Sequence, residues 1–247
     1  MPQTGRPYHT IYATMNSYFS QEVHMSQIRI ITLALPLNMG SVNSYLIQND
    51  TNFILVDTGF SKNRSQLDQQ LAEAGCQPGD LRLVILTHGD FDHTGNAAYL
   101  RQKYGAKIAM HPDDWGMLEM ADMFWNRKKG NALLRWLAPR LIGFGSAERC
   151  TPDIAAQDGY DLSEFGIDAR VVSIPGHSKG SISVLTTEGE LFCGDLIDNT
   201  KTPALNSIMD DPASGSASLE KLKQLSIKTV YPGHGKPFPM ELLTNSK

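Results

Sequence analysis

The stretch 86-LTHGDFDHTGN-96 places four side chains of metal-binding type, His88, Asp90, Asp92 and His93, close together in the chain. Before it runs LRLVILT (81–87), a β-branched apolar segment that reads as a strand. After it, TGNAAYLRQKYG (94–105) reads as a helix closed by Gly105. The end of a strand, where the chain turns into a loop, is where side chains from distant parts of a sequence can meet on one sheet edge.

Working outward, the same arrangement recurs. ARVVSIP (169–175) leads to His177, GELFCGD (189–195) ends on Asp195, and TVYPGHG (229–235) contains His234. The Pro-Gly-His turn occurs at both 175–177 and 232–234, which hints at two related halves, each a sheet layer with outer helices. One His or Asp at a strand end is ordinarily a turn cap or a solvated side chain. Seven such residues in four strand-end clusters point instead to a metal site, since imidazoles and carboxylates on a rigid frame suit zinc, iron or manganese, and a shared carboxylate can bridge two ions.

The remaining segments supply the frame. IRIITLAL (28–35), NSYLIQND (43–50), NFILVDTG (52–59), AKIAMHP (106–112) and SISVLTT (181–187) read as β-rich. SKNRSQLDQQLAEAG (61–75) predicts a helix capped by Ser61, with Leu67 and Leu71 on one face and Gly75 at its end, and ASLEKLKQL (217–225) predicts another. Residues 112–149 break the strand-helix rhythm with an amphipathic run from Trp115 to Ile142 that carries Arg127, Lys128, Lys129, Arg135 and Arg140 among its apolar residues. This run is expected to be a helical insert that forms a lid over the site, packs onto the body of the protein, or joins two copies as a homodimer. Residues 1–24 are read as a flexible N-terminal extension and 25–247 as one domain.

The bulk properties exclude several classes. A formal charge of −4 argues against a surface that tracks nucleic-acid phosphates, and no run of about 18 apolar residues exists to span a membrane. Cys76, Cys150 and Cys193 are odd in number and far apart, forming neither a disulfide framework nor a metal knuckle. With no apolar leader behind a basic start, a cytoplasmic location is expected.

The ordered set VDTG (56–59), THxxxDHxGN (87–96), PGHS (175–178), GD (194–195) and PGHG (232–235) resembles the metallo-β-lactamase fold superfamily from about Ile30 to Pro237. That resemblance implies an α/β fold: an αββα four-layer sandwich, two mixed sheets flanked by helices, with a dinuclear centre at the sheet edge. By position, His88, Asp90 and His177 would hold one divalent ion and Asp92, His93 and His234 the other, with Asp195 bridging. Asp57 would orient the His88–His93 loop, and Asp92 would also take part in catalysis. Zinc is the first expectation for both ions, with iron or manganese as alternatives. The implied activity is that of a metallo-hydrolase whose bridging hydroxide attacks an ester, lactone, thioester or related bond of a small molecule.

Position 90 departs from the pattern, which has histidine there. Two divalent ions bring four positive charges; Asp90, Asp92, Asp195 and a bridging hydroxide bring four negative ones, so the sum is zero where a histidine would leave one positive charge. A site so neutralised should be a weaker Lewis acid and harder in its ligand preference, favouring iron or manganese. The alternative reading is therefore an iron-dependent redox or oxygen-handling protein akin to the flavodiiron proteins, which carry a glutamate at this position, or to the persulfide dioxygenases, which use one iron.

Overall fold

The computed structural model describes residues 27–49, 52–127 and 145–244. Its first sheet has six strands in sequence order, β1 (Gln27–Ala34), β2 (Ser41–Asn49), β3 (Asn52–Val56), β4 (Leu81–Leu86), β5 (Lys107–Met110) and β6 (Ile154–Ala155). The first three pair antiparallel and the rest parallel. The second sheet contains β7 (Ala169–Ser173), β8 (Ile182–Thr186), β9 (Glu190–Gly194), β12 (Thr229–Pro232) and β13 (Phe238–Pro239), with β9 and β12 parallel and the other neighbours antiparallel. A short pair, β10 (Ile197–Asp198) and β11 (Ala204–Leu205), stands apart.

The period-2 alternation of the strands assigns each face to its own layer of core. Leu46, Leu55, Val84 and Leu86 point outward to helices α1 (Arg64–Glu73) and α3 (Ala97–Tyr104), where they meet Leu67, Leu71 and Leu100. Their neighbours Tyr45, Ile47, Ile54, Val56, Leu83 and Ile85 point the other way, onto Val171, Ile182, Val184 and Phe192 of the second sheet. The outer face of that sheet, with Val172, Leu191, Cys193 and Val230, packs on Leu222 of helix α5 (Pro212–Lys223). Three apolar layers between four layers of structure make the αββα sandwich that the sequence implied. Full burial of each Val, Leu, Ile or Phe contributes roughly 1.5–3 kcal/mol, so the sandwich rests on dozens of such side chains.

Two helix starts differ from expectation. Ser61 opens a 3-10 turn, Ser61–Asn63, so α1 begins only at Arg64 and Ser61 is not its cap. Helix α5 starts five residues before the predicted Ala217, because Asp211 accepts hydrogen bonds from the N–H groups of Ala213 and Ser214 while Pro212 occupies the first helical position. The 112–149 segment begins with a 3-10 turn, Pro112–Asp114, and helix α4 (Trp115–Met120). The expected lid and dimer roles rest largely on residues 128–144, which lie outside the described residues, as does the 1–24 extension. Among the described residues, no helix is long and apolar enough to cross a membrane.

Candidate metal centre

Each cluster of polar residues follows the C-terminal end of a strand: Asp57 after β3, His88 to His93 after β4, His177 after β7, Asp195 after β9 and His234 after β12. Main-chain hydrogen bonds stitch the two sheets together there. The N–H of Ile182 donates to the Thr87 carbonyl at 2.9 Å and that of Asn43 to Gly233 at 2.8 Å, while within the second sheet the N–H of Gly233 donates to Gly194 at 2.7 Å. The Asn43 side chain donates to the carbonyls of Pro232 and Gly235. Position 233 must be glycine, because a Cβ there would lie 2.2 Å from Asp195 Oδ1 and 2.8 Å from His93 Cε1.

All seven expected ligands converge. Among the described residues, three groups could each hold a metal ion, their donor atoms lying within 4.8 Å of one another: His88, Asp90 and His177; His88, His93 and Asp195; and Asp92, His93 and His234. His177 Nε2 lies 3.0 Å from Asp90 Oδ2 and 4.0 Å from Asp195 Oδ2. His234 Nε2 lies 3.2 Å from Asp195 Oδ2 and 3.5 Å from Asp92 Oδ2. Asp195 therefore sits between the first group and the last, where a bridging carboxylate would stand.

The outer nitrogens of the same imidazoles are all engaged. His177 Nδ1 donates to the Ile208 carbonyl and His234 Nδ1 to that of Ser41, each at 2.7 Å. His93 Nδ1 meets Asp57 Oδ2 at 2.8 Å, and His88 Nδ1 lies 3.0 Å from Thr87 Oγ1. Anchoring Nδ1 in this way turns each Nε2 inward, the arrangement that orients histidine toward a metal. Inside, the buried Nε2 atoms of His88 and His93 and Oδ1 of Asp195 have no hydrogen-bond partner among the described residues, although His93 Nε2 and Asp195 Oδ1 are 3.3 Å apart. Polar atoms buried without partners are costly, and converging lone pairs of this kind fit a divalent cation.

Protons partly stand in for that charge in the protein alone. Burial works against protonating His234, but Asp195 outweighs it and raises the imidazole to about 9. His177 is raised by its hydrogen bond to Asp90, and His93 well above its usual value by Asp195 and Asp57, both against the effect of burial. Burial lowers His88, with His93 adding repulsion. Burial alone would raise Asp90, yet His177, His88 and Arg127 hold it well below the usual carboxylate range.

Asp57 lies directly behind His93. Its carboxylate accepts from the N–H and hydroxyl of Thr87, both at 2.8 Å, and meets His93, all from a left-handed backbone (φ 58°) that aspartate tolerates better than most residues. Thr58 and Asn96 lock the same turn, the Thr58 hydroxyl donating to the His93 carbonyl and the Asn96 side chain to the carbonyls of Thr58 and Phe60.

Three residues outside the sequence-derived set complete the centre, all tied to the segment after β5. Arg127, one of the cations of the amphipathic run, does not face solvent; its side chain is 7% exposed. Its Nη1 lies 2.6 Å from Asp90 Oδ1 and its Nε 2.8 Å from Asp210 Oδ2. The Asp210 N–H donates to the carbonyls of Gly176 and His177. Asp114, fully buried, accepts from the Ser178 hydroxyl at 2.5 Å and the Gly180 N–H at 2.9 Å, holding the His177 turn from below. The only sequence signal for Arg127 was an arginine among apolar residues, and Asp114 and Asp210 carried none. Asn199 and Lys179 are already occupied, Asn199 with the Lys236 carbonyl and Lys179 with Asp113. Cys193 is fully packed, as expected of a small core residue.

Comparison with known proteins agrees with the fold. The chain is 26% identical over 229 residues to a probable metallo-hydrolase of Bacillus subtilis (YqjP), an alignment covering 84% of this chain and 71% of that one. It is 25% identical over 220 residues to an acyl-coenzyme A thioesterase of Gallus gallus, covering 81% of this chain and 75% of the relative. Other curated relatives are longer, the matched part being 52 to 60% of their length. The crystal structure of TTHA1623 in a di-iron-bound form superposes with a TM-score of 0.65 at 27% identity, covering 87% of this chain and 98% of that one. The family model of the metallo-beta-lactamase superfamily matches residues 37–234, and the chain belongs to that superfamily.

Proposed function

We propose that the protein is a dinuclear metallo-hydrolase acting on an ester, lactone or thioester of a small molecule. The observation that carries this reading is the inward turn of four histidine Nε2 atoms onto three carboxylates, each imidazole being fixed from outside through Nδ1. His88, Asp90 and His177 would hold one ion and Asp92, His93 and His234 the other, with Asp195 shared. Two such ions, when bound, supply Lewis acidity and activate a water for attack on a carbonyl.

The chain's own residues do the rest. Asp57 and Thr87 hold His88 and His93 so that their donor atoms need no reorganisation when substrate arrives. Burial, and repulsion from Asp195, raise the Asp92 carboxyl against the pull of His93 and His234. In the loaded centre Asp92 would bind through one carboxylate oxygen, leaving the other to take the proton that the attacking water gives up and pass it to the departing group. Two exposed apolar residues on the segments that anchor the centre would contribute an apolar rim: Ile208, whose carbonyl anchors His177, is 73% exposed, and Met39, two residues before the carbonyl that anchors His234, is 49% exposed. That rim suits an acyl chain, and the relative named as an acyl-coenzyme A thioesterase supports the same substrate class.

The test is metal stoichiometry on the purified protein, followed by turnover of p-nitrophenyl esters, lactones and acyl thioesters with a phosphodiester for comparison. Two metals per chain and chelator-sensitive acyl hydrolysis are expected. A fully loaded protein inert toward every acyl substrate would overturn the substrate class. A single iron with oxygen consumption would put the redox alternative in its place, a reading that the di-iron form of TTHA1623 keeps open for this fold.

A further inference from the structure

The aspartate at position 90 is not a free carboxylate. Its two oxygens face different ways. Oδ2 lies 3.0 Å from His177 Nε2 and 3.7 Å from His88 Nε2, inside the first ligand group, whereas Oδ1 lies 2.6 Å from Arg127 Nη1. Arg127 is not free to leave: its Nε is held by Asp210, which is tied through its own N–H to the turn carrying His177. Asp90 and Arg127 are both about nine-tenths buried, so little water separates or screens them, while the Asp210 side chain is one-third exposed and its charge is shared with solvent.

We propose that Asp90 and Arg127 form a single neutral unit that stands in for histidine at the first metal position, with Arg127 holding Oδ1 so that Asp90 offers only Oδ2 as a ligand. This rests on the metal-centre reading above. It alters the charge count made from the sequence, in which Asp90 brought the two-ion centre to zero. Adding the guanidinium restores one net positive charge, the value that a histidine at 90 would give. A carboxylate paired with a buried arginine is a weaker donor than a free one, so the preference for harder ions that Asp90 alone implied is offset. Arg127 is thus a positioning residue: it acts on the metal through Asp90.

A specific non-additivity follows. Asp90→His alone should weaken the first site, because the new imidazole cannot neutralise Arg127, whose buried charge is then met only by the one-third-exposed Asp210 and stands beside a divalent cation. Removing the arginine's charge in the same protein should repair the damage. The experiment measures zinc affinity by competition with a chromogenic chelator for the unmodified chain, Asp90→His, Arg127→Gln and the double variant, each first checked for folding by circular dichroism.

Asp90→His is expected to lose roughly tenfold or more in zinc affinity, and the double variant to return to within about threefold of the unmodified chain, the behaviour of residues that act as one unit. An Asp90→His protein that binds zinc as tightly as the unmodified chain with Arg127 in place would overturn the inference, as would a folded double variant no better than Asp90→His. A zinc-loaded crystal structure of the unmodified chain tests it without any variant. Arg127 should remain on Oδ1 of Asp90; an Asp90 that grips zinc through both oxygens, with Arg127 swung away, refutes the unit. Zinc binding with an additive cycle defeats only this inference, whereas failure of the unmodified chain to bind any metal defeats the metal centre itself. A failed substrate panel bears on neither result.

Discussion

On one side of Asp195, His93 and His234 lean on the sandwich itself. Asp57 at the end of β3 takes His93 Nδ1, the Ser41 carbonyl at the start of β2 takes His234 Nδ1, and Asn43 fastens the 232–235 turn to the first sheet. On the other side, Asp90 and His177 lean on residues 114–127 and 208–210, through the buried charges of Asp114 and Arg127 and the part-exposed Asp210. One half of the centre is held mostly by main chain and strand ends, and the other by side-chain charges from a segment laid over the sandwich. A half held by strands cannot change without disturbing the core. A half held by one segment can be retuned by substitutions in that segment alone, which is where a superfamily with one fold and many substrates has room to vary.

Asp195 belongs to both halves, so its loss should have the largest effect and erase the distinction between them. Asp195→Ala is expected to lower acyl hydrolysis on the order of 10³-fold, the upper range for removing a group that stabilises developing charge, and to leave the protein short of metal by elemental analysis. A fully metallated, fully active Asp195→Ala protein would remove the basis for a two-ion centre.

The next test separates the segment-held half. Arg127→Ala leaves the buried Asp90 carboxylate without its cation, and breaking a buried pair from one side costs about 3–5 kcal/mol. For a chain of this size that lowers the melting temperature of the chelator-treated protein by about 10 °C. Zinc should recover part of the loss by supplying positive charge at Oδ2. A change within about 1 °C would mean that the segment rests on the sandwich without bracing it.

On the strand-held half, Asp57→Asn keeps the shape but loses the charge facing His93 and Thr87. Metal affinity is expected to fall by about 10 to 100-fold, the range typical when the partner of a ligating histidine is changed. The chelator competition described for Arg127 measures it. If Asp57→Asn weakens zinc no more than a surface substitution does, then His93 is held in place by Thr58 and Asn96 alone.

These two halves were not equally legible in the sequence. The apolar runs in NSYLIQND, NFILVDTG and LRLVILT mark strands, and period 2 assigns their residues to faces; the layered sandwich came from the family resemblance, and the strand order from neither. The ligands were legible for a related reason: each stands at the end of a strand, and the strand ends share one edge. Arg127 and Asp210 were not, since they are 83 residues apart and neither lies in a motif-bearing stretch. Their pairing depends on how the segment after β5 crosses the His177 turn, which is a property of the tertiary fold. Counting charges at position 90 from the sequence therefore left out the guanidinium that stands 2.6 Å from Asp90.

The smallest expected effect concerns protons, and it again divides the metal-free from the loaded protein. His234 is raised from its ordinary range to about 9, burial opposing the shift and Asp195 overcoming it. A histidine raised in the folded state contributes stability that is fully present below its unfolded pKa, near 6.5, and is lost as the pH climbs through 9. His177 and His93 are shifted in the same direction, so they add to the trend. The chelator-treated protein is therefore expected to lose several degrees in melting temperature between pH 6.5 and 9.5. The zinc-loaded protein should show no such fall, because zinc competes with those protons for the same Nε2 atoms and gains as they leave. Melting curves of both forms across that range decide it. Parallel curves would mean that the carboxylates of the centre do not hold protons on the imidazoles. Divergence that disappears in His234→Gln would assign the largest single share to the strand-held half.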